Sequence, residues 1–176
     1  MALDGSNPVQ LSKGPVGFLP ICAPDADEVV FTSATREGRY TIWRVPLEGG
    51  DPVMAREVQS QTAAISPDGQ TIAGPYTEAQ RQSIGVFSID SSEAPQVLPI
   101  FPRPIAWSPD GRALTYVDVR DGVANLWRQP LPSGTPAQLT EFTSNTIYNF
   151  AWSADGRQLA LSRGTTTTDV VLLSAW

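Results

Sequence analysis

The chain has 176 residues, 41% of them hydrophobic and 17% charged, with a formal net charge of -6 at pH 7. That length fits one ordinary globular core, and the acidic balance excludes a phosphate-backbone binder, which needs clustered lysine and arginine. With no histidine and a single cysteine, it also excludes Ser-His-Asp and Cys-His catalysis, histidine or thiolate metal sites and internal disulfides.

Residues 1–7 lack the basic and apolar regions of a signal peptide, and no apolar stretch approaches the roughly 18 to 20 residues of a membrane span. Residues 1–14 read as the end of a repeat: Gly5-Ser6-Asn7-Pro8-Val9-Gln10-Leu11 parallels Gly134-Thr135-Pro136-Ala137-Gln138-Leu139. The first full unit then predicts strands at Val16–Cys22, Glu28–Ser33, Tyr40–Pro46 and Pro52–Arg56. The second predicts Thr62–Ile65, Thr71–Pro75, Ser83–Ile89 and Gln96–Leu98. The third predicts Ile105–Trp107, Ala113–Val119, Asn125–Gln129 and Ala137–Thr140. The fourth predicts Ile147–Trp152, Gln158–Arg163 and Val170–Ser174, and lacks a fourth strand. No helical periodicity appears.

The units align on one phrase. Ala106-Trp107-Ser108-Pro109-Asp110-Gly111-Arg112 recurs 45 residues later as Ala151-Trp152-Ser153-Ala154-Asp155-Gly156-Arg157. It stands 42 residues earlier as Ala64-Ile65-Ser66-Pro67-Asp68-Gly69-Gln70, and Ile21-Cys22-Ala23-Pro24-Asp25-Ala26 is a worn copy. In the turn, proline presets the first central position, aspartate tolerates the second, and glycine takes the left-handed residue closing a bulged hairpin. Ala26 replaces that glycine, so the first turn is expected to be remodelled. Four short strands in about 42 residues is the signature of a propeller blade. The expected fold is therefore all-β, a β-propeller of about four four-stranded antiparallel blades. One domain spans 1–176: 1–14 is the last strand of a preceding or shared blade, 15–58, 59–101 and 102–142 are full blades, and 143–176 is incomplete. The ring either closes at four blades, the two ends sharing one, or the chain is the C-terminal part of a larger propeller.

The phrase at 106–112, followed by Asn125-Leu126-Trp127-Arg128, resembles the TolB-like propeller repeat, a relative of the WD repeat, over nearly the whole chain. The ending, 145–152 through 169–173, is similar to the propellers that follow bacterial serine/threonine kinase domains and winged-helix regulators. This sequence departs from the pattern at Ala26, at Ala154, and at Gly85, where two other units have Trp43 and Trp127. The larger-propeller reading is favoured because propellers of this repeat type have more blades. The resemblance implies a non-catalytic scaffold that binds proteins or small ligands through loops on one face, or serves an attached kinase, peptidase or regulator.

The residue types weigh the same way. Asp25, Asp68, Asp110 and Asp155 hold fixed turn positions, where local hydrogen bonding explains them better than a carboxylate cluster. Trp43, Trp107, Trp127 and Trp152 fall in strand columns and are read as packing between blades, and Cys22 as a small buried residue in the column of Trp107. No phosphate loop, dinucleotide fingerprint, nucleophile elbow or calcium loop is present. Carboxylate-only hydrolysis is the remaining enzymatic alternative; no cofactor or metal is expected. The candidate binding face joins the loops between second and third strands to the connections between blades, and carries Arg36, Arg39, Arg81, Arg103, Arg120 and Asn145. The partner expected there is a protein or small molecule, not nucleic acid or membrane, with a homodimer as an option if the blades form an open arc.

Overall fold

A computed structural model describes residues 8, 10, 11, 13, 17–23, 27–59, 63–101, 104–153 and 155–167. Among these there is no helix. The first sheet is β1 (Gly17–Ala23), β2 (Glu28–Ala34), β3 (Tyr40–Pro46) and β4 (Val53–Val58); the second is β5 (Ala64–Ile65), β6 (Thr71–Glu78), β7 (Arg81–Ser88) and β8 (Gln96–Leu98). The third is β9 (Ile105–Trp107), β10 (Ala113–Arg120), β11 (Val123–Pro130) and β12 (Ala137–Gln138), and the fourth pairs β13 (Thr146–Trp152) with β14 (Leu159–Gly164). Each of the first three is an antiparallel meander in which every strand pairs with its neighbours in sequence. The expected strand Val170–Ser174, most of residues 1–14 and the turn Pro24–Ala26 lie outside the described residues.

The turns behave as their chemistry dictates. Gly69, Gly111 and Gly156 sit at φ of 70, 67 and 68°, and each donates its N–H to the serine carbonyl three residues back. In the first unit, Asp27 takes the left-handed conformation at φ 47°, a residue better suited to it than alanine. The second and third sheets extend further into their hairpins than the sequence predicts. Ala79-Gln80 and Asp121-Gly122 are two-residue turns with positive φ at both positions, the geometry that lets strand pairing run to the turn. The ladder between β5 and β6 covers only Ala64–Ala73 and Ile65–Ile72; it stops short of Pro75, which has no N–H to offer.

Alternation along the central strands fixes the stacking. Leu114 and Tyr116 of β10 join Ala73, Ile84, Val86 and Leu98 of the second sheet in one core cluster. Val117, on the opposite face, joins Ile147 and Phe150 of the fourth sheet. Val30 and Ile42 meet Ile65 and Ile72 between the first and second sheets. Strands buried on both faces read as nearly continuous apolar runs, as Ala113–Val117 does. Each consecutive pair of sheets thus shares a core, and no cluster among the described residues joins the fourth to the first.

The column just before the turn points toward the preceding sheet. Trp107 Nε1 donates to the Ala64 carbonyl at 2.9 Å, and Trp152 Nε1 to Thr115 Oγ1 at 3.1 Å. Cys22 is the exception to the expectation that this column is buried: it is exposed. It belongs to the first sheet, so no described sheet precedes it to cover that face.

Candidate functional site

A four-stranded meander puts its first and third turns at one end and its central hairpin, with the connection to the next sheet, at the other. The turn end carries the Ser-x-Asp-Gly phrases. There Asp68, Asp110 and Asp155 each accept through Oδ1 from a serine hydroxyl and from a backbone N–H two residues on, at 3.0–3.1 Å. These carboxylates are committed to local structure. No group of three or more His, Cys, Asp or Glu able to hold a metal occurs among the described residues.

The hairpin end carries the arginines singled out from the sequence. Arg36 is exposed in the 35–39 loop, with no ion pair among the described residues. Arg39, in the same loop, is bound by Glu37 at 2.7 Å and Glu57 at 2.8 Å. Arg81 opens β7 and lines a groove of about 290 Å³ with Glu78, Gln82, Ser83, Val97 and Phe101; it too has no ion pair among the described residues. Arg120 pairs with Asp118 at 2.9 Å, and its guanidinium lies 3.8 Å over the Trp127 ring. Asn145 is left-handed, φ 71°, and its carbonyl accepts from Ala124 N at 3.3 Å. Arg103 lies outside the described residues. No hydrogen bond or ion pair links the five described residues to one another: Arg39 and Arg120 are held within their own sheets, and Asn145 ties the fourth sheet to the third.

A second groove, about 430 Å³, was not anticipated. It runs between the first and second sheets, lined on one side by Gly38–Tyr40 and Arg56–Gln59 and on the other by Tyr76, Phe87 and Pro95. Arg56 reaches across its floor, donating to the Ser88 carbonyl at 2.9 Å, the Ser91 carbonyl and the Glu93 carbonyl at 3.2 Å. Its guanidinium stacks 4.6 Å from the Phe87 ring centroid. Arg44 makes a parallel tie, to the Gly69 carbonyl at 3.3 Å and to Asp90 at 3.1 Å. The sequence signal for this groove was the departure at Gly85. What it lacked was the register, which places Gly74 directly opposite.

No family model matches the chain, and no curated protein sequence matches it. Solved structures do. TolB from Acinetobacter baumannii matches with a TM-score of 0.66 and 21% identity, over 84% of this chain and 37% of that one. A TolB candidate from Agrobacterium tumefaciens matches with a TM-score of 0.60 and 20% identity, over 81% of this chain and 52% of that one. A chain of a nidogen/laminin complex matches with a TM-score of 0.59 and 18% identity, over 85% of this chain and 57% of that one. The fold is therefore a TolB-like β-propeller arrangement, and the chain spans between about a third and somewhat over half of these structures' length.

Proposed function

We propose that this chain is a non-enzymatic interaction module, its blades at 15–58, 59–101, 102–142 and 143–176 forming one domain that binds a protein through the hairpin face. The observation that carries this reading is the state of Arg36 and Arg81. Both are exposed cations on an acidic chain, and neither is neutralised by an ion pair among the described residues. Arginine is enriched among residues that dominate protein interfaces, because its planar donor fork suits partner carboxylates and carbonyls. Asp68, Asp110 and Asp155, by contrast, are occupied in turns, which takes three recurring carboxylates out of acid–base chemistry. One of the matched propellers is solved as a nidogen/laminin complex, in keeping with a protein as partner.

The test is capture from a lysate of the source organism with cross-linking and mass spectrometry, comparing the native chain with Arg36→Glu and Arg81→Glu. Cross-links should map to the two hairpins, and each reversal should weaken binding about tenfold, as loss of an interface arginine does. A partner that cross-links only to the Ser-x-Asp-Gly turns, with affinity untouched by both reversals, would refute this face.

A further inference from the structure

Among the three four-stranded sheets, the aromatic pair at one ladder position is missing from the second. In the first sheet Phe31 pairs with Trp43, and in the third Tyr116 pairs with Trp127. Both tryptophans face the preceding side of their sheet, Trp127 packing onto the second sheet's core. In the second sheet the equivalent pair is Gly74 and Gly85. An isolated glycine in a strand marks a place where something else approaches the backbone closely. Here a Cβ on Gly85 would meet Tyr76 Cβ at 3.0 Å and Phe87 Cε1 at 3.3 Å. Those two side chains are the second-sheet wall of the 430 Å³ groove. The missing aromatic pair and the groove are therefore one feature.

The groove selects its occupant by charge and shape. Arg39 is neutralised by Glu37 and Glu57, and Arg56 has its N–H groups turned to carbonyls of the 88–93 segment. An incoming ammonium would face two guanidinium groups, and an incoming carboxylate would face Glu57 and compete with the acceptors that the Nη atoms of both arginines already hold. The walls that remain are Tyr40, Tyr76, Phe87, Val58 and Pro95, and neither tyrosine hydroxyl has a hydrogen-bond partner among the described residues. An uncharged aromatic ring fits aromatic walls through edge and face contacts. Beside the groove, β4 pairs only with β3 among the described residues and exposes Val53 and Met54. Its unpaired edge can take an extended segment by main-chain hydrogen bonding.

We propose that this groove receives a tryptophan or tyrosine side chain presented by an extended, uncharged segment of a partner protein. The proposal rests on the interaction-module reading and assigns it a specific site. The probe is a short uncharged peptide with one central tryptophan, titrated into the 15N-labelled chain and followed by amide shifts. Saturable shifts are expected at Gly38, Tyr40, Gln59 and Tyr76, with a Kd of about 1 mM or tighter. The same peptide with lysine in place of tryptophan should bind at least about tenfold more weakly, as should the native peptide to Tyr40→Ala, which removes one wall. The double variant Tyr76→Ser with Gly85→Trp copies the first sheet, where Ser33 and Trp43 hold these positions; it should fold and lose binding.

Absence of saturable shifts at the groove overturns the proposal, as does undiminished binding to the filled variant. So does free N-acetyltryptophanamide binding as tightly as the peptide, which would make this a small-molecule site. The partner reading fails separately. A captured partner lost on Arg36→Glu but retained by the filled variant removes the groove and keeps the hairpin face, and the opposite pattern does the reverse.

Discussion

Trp107→Ala should destabilise the fold by about 3 to 5 kcal/mol, the cost of emptying a large buried aromatic site. In a chain of this size that lowers Tm by about 10 °C, since each kcal/mol moves it by about 2 to 4 °C. Trp107 is buried in the cluster shared by the second and third sheets, and its indole N–H is bonded to Ala64 of the sheet before it. The substitution therefore loosens the contact between two sheets, where a cavity cannot close by side-chain adjustment within one. Trp107→Phe keeps most of the apolar contact and loses the indole donor; it should cost about 1 kcal/mol from the hydrogen bond, plus a smaller volume term. Trp152→Ala, in the same column but more exposed, should cost clearly less. Urea titration of the three variants measures this order, and a Trp107→Ala cost below about 1 kcal/mol would contradict stacking through this column.

The second large effect lies in the turn. Ser108 Oγ donates to Asp110 Oδ1 and accepts from Ala113 N at 3.0 Å, and Ala113 is fully buried. Ser108→Ala strands that N–H away from water, at a cost of about 1 to 3 kcal/mol. Ser153→Ala removes the same bonds, but Gln158 N, the donor at 2.9 Å, belongs to an exposed residue and can turn to water. That cost should stay below about 1 kcal/mol. The same serine hydrogen bonds thus give unequal penalties, set by the burial of the N–H they satisfy.

Acid reports on the same turns. The Ser108 hydroxyl, then the Arg112 N–H, hold the Asp110 carboxyl below its usual 3.8, and Ser153 with Arg157 N–H do the same for Asp155. A carboxyl whose folded pKa is depressed contributes stability that is fully present above the ordinary value and is lost as pH falls through the folded one. The urea midpoint should not respond to these two groups between about pH 5 and 7, and should decline below about pH 4. Asp110→Asn should flatten part of that decline while leaving the Asp155 contribution in place.

The repeat was legible because its information is local. Pro-Asp-Gly dictates a turn within four residues, and the apolar runs around it dictate strands, so Tyr40–Pro46, Gln96–Leu98 and Ile105–Trp107 fall where the sequence puts them. The hairpin of the second sheet was less legible: Ala79-Gln80 carries no glycine or asparagine, and its left-handed geometry is imposed by the pairing of β6 with β7. Cys22 shares a column with Trp107, but no sheet among the described residues precedes its own, and burial belongs to the neighbour. The groove is the clearest case of non-local information. Gly85 stood out as a departure in the column of Trp43 and Trp127, while Gly74, Tyr76 and Phe87 acquire meaning only once the ladder sets them around it. Arg56, the last residue of a strand expected from the sequence, proves to be a tie from β4 to the 88–93 segment.

The central claim is that one module of four antiparallel segments is copied along the chain, each copy packed on the next. Native-state amide exchange tests it most directly. The account predicts three equivalent blocks of slow amides, at Glu28–Pro46, Thr71–Ser88 and Ala113–Pro130, each interrupted at its hairpin, with the short edge strands exchanging sooner. Slow exchange confined to one of these blocks, or protection strongest in the connections between them, would contradict it.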